Sequence, residues 1–135
     1  MPYVHHVVVQ AADIDYLQHV SNLVYLRWVQ EAAIAHSTAL GFDEAAYLAR
    51  GEAWVVRRHE IDYLSSALEG ELLLVETRIA TMAAANSMRR TQVLRAEDRA
   101  VLCRASTDWV YVDLSRGRPV RIPPDLRARF PLEPD

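Results

Sequence analysis

The sequence predicts an α+β fold in which an antiparallel sheet of five strands wraps around one long helix. Three observations predict it. One long stretch, Asn22 to Leu40, has helical periodicity. Its apolar arc covers more than half of the helical wheel, wider than a helix on one flat surface needs, so its surroundings must wrap it. Four segments of period two follow it, joined by connections short enough for antiparallel neighbours, and one valine-rich segment precedes it.

Taken in order, Tyr3 to Gln10 reads as the first strand. A polar stretch from Ala11 to Ser21 holds Asp13, Asp15, Gln18 and His19. In the helix, Val24, Tyr25, Leu26, Trp28, Val29, Ala32, Ala33, Ala35 and Leu40 share the apolar arc, with His36 inside it. Arg27, Gln30, Glu31, Ser37 and Thr38 gather opposite. Gly41 stands at the usual C-terminal glycine position. A short helix from Asp43 to Arg50 has Asp43 as cap and Gly51 as stop. The four later strands are Ala53–Tyr63, Leu72–Met82, Ser87–Arg95 and Val101–Asp113. The arginine- and proline-rich tail, Ser115 to Asp135, is expected along the surface. A ferredoxin-like arrangement would need a second full-length helix, which Asp43 to Arg50 is too short to supply.

Composition narrows the function. A chain of 135 residues, 51% hydrophobic and 24% charged, is expected to form one domain, residues 1–135, with a real core. Its single cysteine, Cys103, cannot form an internal disulfide and falls on the apolar face of a strand. All 15 bases are arginine, which excludes Schiff-base lysine chemistry. A net charge of −3 without a basic stripe argues against a nucleic-acid partner. No segment resembles a signal peptide or approaches a membrane span, so a cytoplasmic location is expected. Adjacent His5 and His6 point to opposite faces of a strand and cannot share a metal. Neither a Gly-x-Ser-x-Gly elbow nor a phosphate-binding glycine loop is present.

The segment Asp13-Ile14-Asp15-Tyr16-Leu17-Gln18-His19-Val20-Ser21-Asn22 runs straight into the long helix. Two carboxylates and an imidazole therefore sit before a helix N-terminus, whose unpaired N–H groups favour developing negative charge. On the residues alone, ordinary helix capping competes with catalysis, and Asp13 reads as a loop-shaping group. The sheet is expected to commit one face entirely to the helix, which leaves the site at an edge beside this loop.

The pattern Asp-x-Asp-x-x-x-His-Val-x-Asn-x-x-Tyr, running into Leu26-Arg27-Trp28-Val29-Gln30-Glu31-Ala32, resembles the 4-hydroxybenzoyl-CoA thioesterase family. The resemblance continues through Val55-Val56-Arg57-Arg58, Ile61-Asp62-Tyr63 and Gly70-Glu71-Leu72 to Trp109-Val110-Tyr111-Val112-Asp113 and Gly117-Arg118-Pro119-Val120-Arg121-Ile122-Pro123. It implies the hotdog fold and an acyl-CoA thioesterase activity with neither metal nor redox cofactor, coenzyme A being part of the substrate. By position, Asp15 matches the catalytic carboxylate, the Asn22 N–H the oxyanion donor, and His19 a histidine that lines the site. Gln18 replaces a common glycine, Ser21 a common asparagine and Glu71 a common aspartate. Glu31 is the weaker alternative acid, because a related subclass carries its carboxylate within the helix. A second subunit completes such sites, so a homodimer or homotetramer is expected. Arginine forks suit the phosphates of coenzyme A, which makes Arg57, Arg58, Arg89 and Arg90 candidate contacts. Two other functions stay open: a hotdog hydratase or dehydratase pairing Asp15 with His19, and a non-catalytic acyl-CoA-binding protein.

Overall fold

The computed structural model describes residues 1–135. Its elements are β1 (Tyr3–Val8), a 3-10 turn (Ala11–Asp13), α1 (Asn22–Ala39), α2 (Glu44–Arg50) and β2 (Glu52–Tyr63). There follow β3 (Leu72–Met82), β4 (Asn86–Arg95), β5 (Val101–Asp113), β6 (Arg118–Pro119) and α3 (Pro124–Arg129). The five expected strands form one antiparallel sheet in the order β1-β3-β4-β5-β2, and β6 adds a short pairing to the end of β5. β1 and β2 are thus the two edges. The sheet curls around α1 in a hotdog architecture, the helix packing chiefly on β3 and β1.

The apolar arc explains where α1 lies. Tyr25, Trp28, Val29 and Ala32 are buried, and Tyr25, Trp28 and Ala32 pack in one cluster with Leu73, Val75, Val93, Leu102 and Cys103 from the inner strands. Ser21 caps the helix, its hydroxyl accepting from the Leu23 N–H at 3.3 Å. Beyond the helix, Gly41 takes φ +96, a backbone position that side chains with a Cβ seldom adopt. Burial pushes the Cys103 thiol up to about 11, so it remains a protonated core group rather than a nucleophile.

Two expectations change. The tail is not a surface strap: Ile122, Leu126 and Phe130 are buried and form a second core with Ile79 and Tyr111. Ser37, placed by periodicity on the polar side of the helix, is also buried. Its hydroxyl donates to the Phe42 carbonyl at 2.7 Å and lies 2.7 Å from the Tyr47 hydroxyl. The reason is the same in both cases. α2 and the tail fold back over the C-terminal half of α1 and cover what a bare helix would show to water.

Candidate active site

The loop before α1 is a closed turn. Ile14 and Val20 form an antiparallel bridge, the Asp15 N–H donates to the His19 carbonyl at 2.9 Å, and the Gln18 N–H donates to the Asp15 carbonyl at 3.1 Å. Gln18 adopts φ +67, so it makes the left-handed turn that glycine would make with less strain. Asp13 is buried and holds the turn from beneath. Its carboxylate accepts from the Gln10 N–H at 2.9 Å and from Arg27 at 3.0 Å. Arg27 also reaches Glu31 at 3.1 Å, so that second acid sits in an exposed ion pair on the helix.

Asp15, His19 and Asn22 line one cleft of about 220 Å³, together with Tyr25, Tyr63 and Ser65. One Asp15 oxygen accepts from the Leu17 N–H at 2.9 Å, and the other bonds no protein group. Of the first helical N–H groups, Leu23 bonds the Ser21 hydroxyl and Val24 the Ser21 carbonyl, while that of Asn22 has no partner. Tyr63 steadies this end of α1 by donating from its hydroxyl to the Asn22 carbonyl at 3.2 Å. His19 is exposed and its ring makes no hydrogen bond. A half-bonded carboxylate therefore shares a cleft with a free helix-terminal donor, the two groups that acyl transfer needs.

The four candidate arginines do not converge. Adjacent residues on a strand ordinarily face opposite sides of the sheet, but a register shift between Val56 and Arg58 leaves both Arg57 and Arg58 exposed. Arg57 meets the Asp108 carboxylate at 2.5 Å, and Arg58 meets Glu60 at 3.3 Å. Arg90 forks onto Asp135 at 2.8 Å and 3.3 Å, which draws the carboxyl pKa of Asp135 far down. Arg89 corrects the sequence reading most. Its side chain is 5% exposed and points inward, so it cannot meet a phosphate on the outer surface of the sheet.

Arg89 lines a second, larger cavity of about 470 Å³ that the sequence did not reveal. Ala33, Ile34, Trp54, Ile79, Trp109 and Phe130 supply its apolar walls, beside the C-terminal half of α1 and the start of β2. The sheet therefore does not give its inner face wholly to the helix. A cue was available: Arg89 alternates with Ser87, Thr91 and Val93 on the buried face of β4, where an arginine is out of place.

Arg89 also sets the state of His36, which stacks on Tyr3 at 5.0 Å between ring centres. The Arg89 Nη1 donates to His36 Nδ1 at 3.0 Å, so this nitrogen carries no proton. Burial, and then the neighbouring guanidinium, push the His36 pKa down from 6.5 to about 4. The folded state thus binds this proton less readily than the unfolded chain does. The stabilising contribution is complete above about pH 6.5 and is lost as the pH falls toward about 4. Urea midpoints measured across that window should fall in the wild type and fall less in His36→Gln. Equal slopes in the two proteins would contradict the assignment.

A sheet wrapped around one helix, with a carboxylate and a free N–H at the helix entry, defines a hotdog-fold protein of the thioesterase class. The model of the thioesterase-like superfamily matches residues 9–130, and the chain belongs to that superfamily. It is 28% identical over 107 residues to the acyl-CoA thioesterase YbgC of Haemophilus influenzae, covering 78% of this chain and 77% of the relative. Among solved structures, it resembles the 1,4-dihydroxy-2-naphthoyl-CoA thioesterase Slr0204 from Synechocystis at 22% identity and a TM-score of 0.88, covering 96% of this chain and 95% of the other. A DHNA-CoA thioesterase from Staphylococcus aureus shares the fold at 19% identity and a TM-score of 0.86, covering 93% of this chain and 86% of the other.

Proposed function

We propose that the protein is an acyl-CoA thioesterase that uses water to release free coenzyme A and a carboxylic acid. The observation that carries this reading is the shared cleft of Asp15 and the unbonded Asn22 N–H, in a chain of the thioesterase-like superfamily. The relatives named above act on coenzyme A thioesters, which supports coenzyme A as the leaving group. The C–S bond breaks, the acyl carbon gains an oxygen that comes from water directly or by way of the Asp15 carboxylate, and the thiolate takes up a proton. Asp15 either takes the proton from that water or attacks the carbonyl first to give an anhydride that water then opens. The Asn22 N–H donates to the oxyanion, and His19 lines the entrance. Single turnover in oxygen-18 water separates the two routes, since label retained in Asp15 marks the anhydride. In this reading Arg57 and Arg58, both exposed on β2, meet the phosphates, and the enzyme works in the cytoplasm. No helix is long and apolar enough to cross a membrane.

The functional unit in this reading is a homodimer, alone or paired into a tetramer. β2 is a sheet edge twelve residues long, and an edge of that length invites pairing with a second copy. Exposed apolar side chains lie on it and beside it: Val55 within β2, Leu17 in the cleft with Tyr63, and Ile34 in the cavity with Trp54. Within one chain, Asn22 and Ile34 lie about 18 Å apart along α1, at ~1.5 Å rise per residue. The Asp15 cleft adjoins the end of β2 at Tyr63, while the large cavity adjoins its start at Ala53 and Trp54. Antiparallel pairing of two β2 strands brings the partner's Asp15 cleft beside this chain's cavity, so that each site takes its acid from one subunit and its acyl pocket from the other.

Thiol release from a panel of acyl-CoA substrates tests the activity. Turnover supports it, an enoyl absorbance change without thiol release replaces it with a hydratase, and saturable binding without turnover replaces it with a binding protein. Complementation tests the shared site. Asp15→Asn and the cavity-filling Ala33→Trp should each be inactive alone, yet mixed and refolded together they should regain roughly a quarter of wild-type activity, from one good site in half of the dimers. No recovery in mixed dimers would confine the site to one chain.

A further inference from the structure

We infer that the 470 Å³ cavity is a pocket for acyl chains that end in a carboxylate, and that Arg89 is the residue that reads this charge. The inference rests on the thioesterase reading and names its substrate class. The cavity is of ligand size and mostly apolar, with few polar groups facing it. Most of those are already satisfied. Trp54 Nε1 donates to the Tyr47 hydroxyl at 3.1 Å, that hydroxyl lies against Ser37, and Ser37 donates to the Phe42 carbonyl. Ser87 donates to the Thr81 carbonyl at 2.9 Å.

Arg89 is different. Its Nη1 is held by His36 Nδ1 and Thr77 Oγ1 at 3.0 Å each, which fixes the plane of the guanidinium. Nε and Nη2, which together form the side-on fork that grips a carboxylate, bond no protein atom. Arg90 shows the same fork in use in this molecule, with Nε on Oδ1 of Asp135 at 3.3 Å and Nη2 on Oδ2 at 2.8 Å. Arg89 has no ion pair at all. Glu44, the one acid lining the cavity, stands exposed at the start of α2, and Glu133, near His36, pairs with the N-terminal amine. Trp109 Nε1, on the same cavity, is a buried donor with no partner.

A buried cation without a counter-ion is costly to the fold, and a hydrocarbon that filled the cavity would strip away its remaining solvation. A carboxylate at the far end of the acyl chain removes that cost. It answers Nε and Nη2 with two oxygens, while methylenes cover Ile34, Ile79 and Phe130. The pocket therefore favours an acyl group derived from a dicarboxylic acid over the plain fatty acyl group of equal length.

The test compares adipoyl-CoA with hexanoyl-CoA, which differ only in the terminal carboxylate. Wild type should prefer adipoyl-CoA in kcat/KM by about ten- to a hundredfold, the worth of a charge-assisted fork. In Arg89→Met that ratio should collapse toward one, and Arg89→Lys, which keeps the charge but not the fork, should fall between. Thermal melting of each variant identifies any that has lost its fold, and Arg89→Lys then carries the comparison. A wild-type preference for hexanoyl-CoA, or an Arg89→Met ratio equal to that of wild type, overturns the inference. Binding separates this from failure of the thioesterase reading. Adipic acid monoamide should quench the fluorescence of Trp54 and Trp109, and hexanamide should not, whether or not any thioester turns over. Discrimination in binding without turnover of any substrate leaves the pocket standing and removes the thioesterase. Turnover without discrimination does the reverse.

Discussion

Asp15→Asn is expected to lower kcat by about 10²–10⁴, the contribution typical of a positioned acid–base group. The variant is chosen for what it keeps. The Asp15 oxygen that accepts from the Leu17 N–H at 2.9 Å is retained as an amide oxygen, so the turn should hold its shape. What it removes is the negative charge on the atom left unbonded toward the cleft. KM and the melting temperature should therefore change little while turnover falls. Wild-type turnover in the variant would remove Asp15 from the mechanism, and Glu31→Gln would then become the substitution to measure, since that exposed acid on α1 is the other candidate. A loss of folding stability matching the loss of rate would instead assign Asp15 to the loop's architecture, alongside Asp13.

Removal of residues 120–135 should abolish cooperative folding. Ile122, Leu126 and Phe130 are between 0% and 4% exposed, and they seal one end of the curled sheet against Ile79 and Tyr111. Burying three such side chains contributes on the order of 5–9 kcal/mol, comparable with the whole stability of an ordinary domain. The backbone is stitched down as well. The Ile122 N–H donates to Ala84, the Glu133 N–H donates to Ile79, and Arg129 donates to the Leu40 carbonyl at 2.9 Å, closing the C-terminus of α1. Leu126→Ala alone should cost about 2–5 kcal/mol in urea unfolding. A truncated chain with a wild-type melting transition would show the tail to be dispensable.

The consequences reach the large cavity, because Phe130 and Phe42 stack at 5.9 Å and Phe130 forms part of its wall. Shortening the tail should therefore disturb this cavity before it disturbs the Asp15 cleft, which belongs to the opposite end of α1.

What was legible in the sequence was the local part of the fold. Helical periodicity from Asn22 onward and the period-two runs after Gly51 report backbone geometry directly, because side-chain direction repeats with the backbone. The order of elements then left few ways to bury so wide an apolar arc, and one curled sheet is among them. The Asp15 loop was legible for a related reason: its chemistry is contiguous, with Asp15, His19 and Asn22 on one turn that the chain closes by its own hydrogen bonds. The tail was harder. Ile122, Leu126 and Phe130 recur every fourth residue, a helical signal, but arginines and prolines surround them and α3 itself is six residues long.

The sequence by itself determined the wrapped-helix architecture and the candidate acid, because both depend on residues that are neighbours along the chain. Only the tertiary structure decided which arginine is buried, that Ser37 and the tail belong to the interior, and that a cavity lies beside the far half of α1. Those facts come from α1, α2, β2, β4, β5 and the tail meeting in space. Arg89 looks in the sequence like one of an adjacent pair on a strand, similar to Arg57 and Arg58. A β-bulge turns both of that pair outward, whereas regular alternation in β4 sends Arg89 inward and Arg90 outward. No spacing rule separates the two pairs, because the difference arises from strand register and from what packs above the sheet.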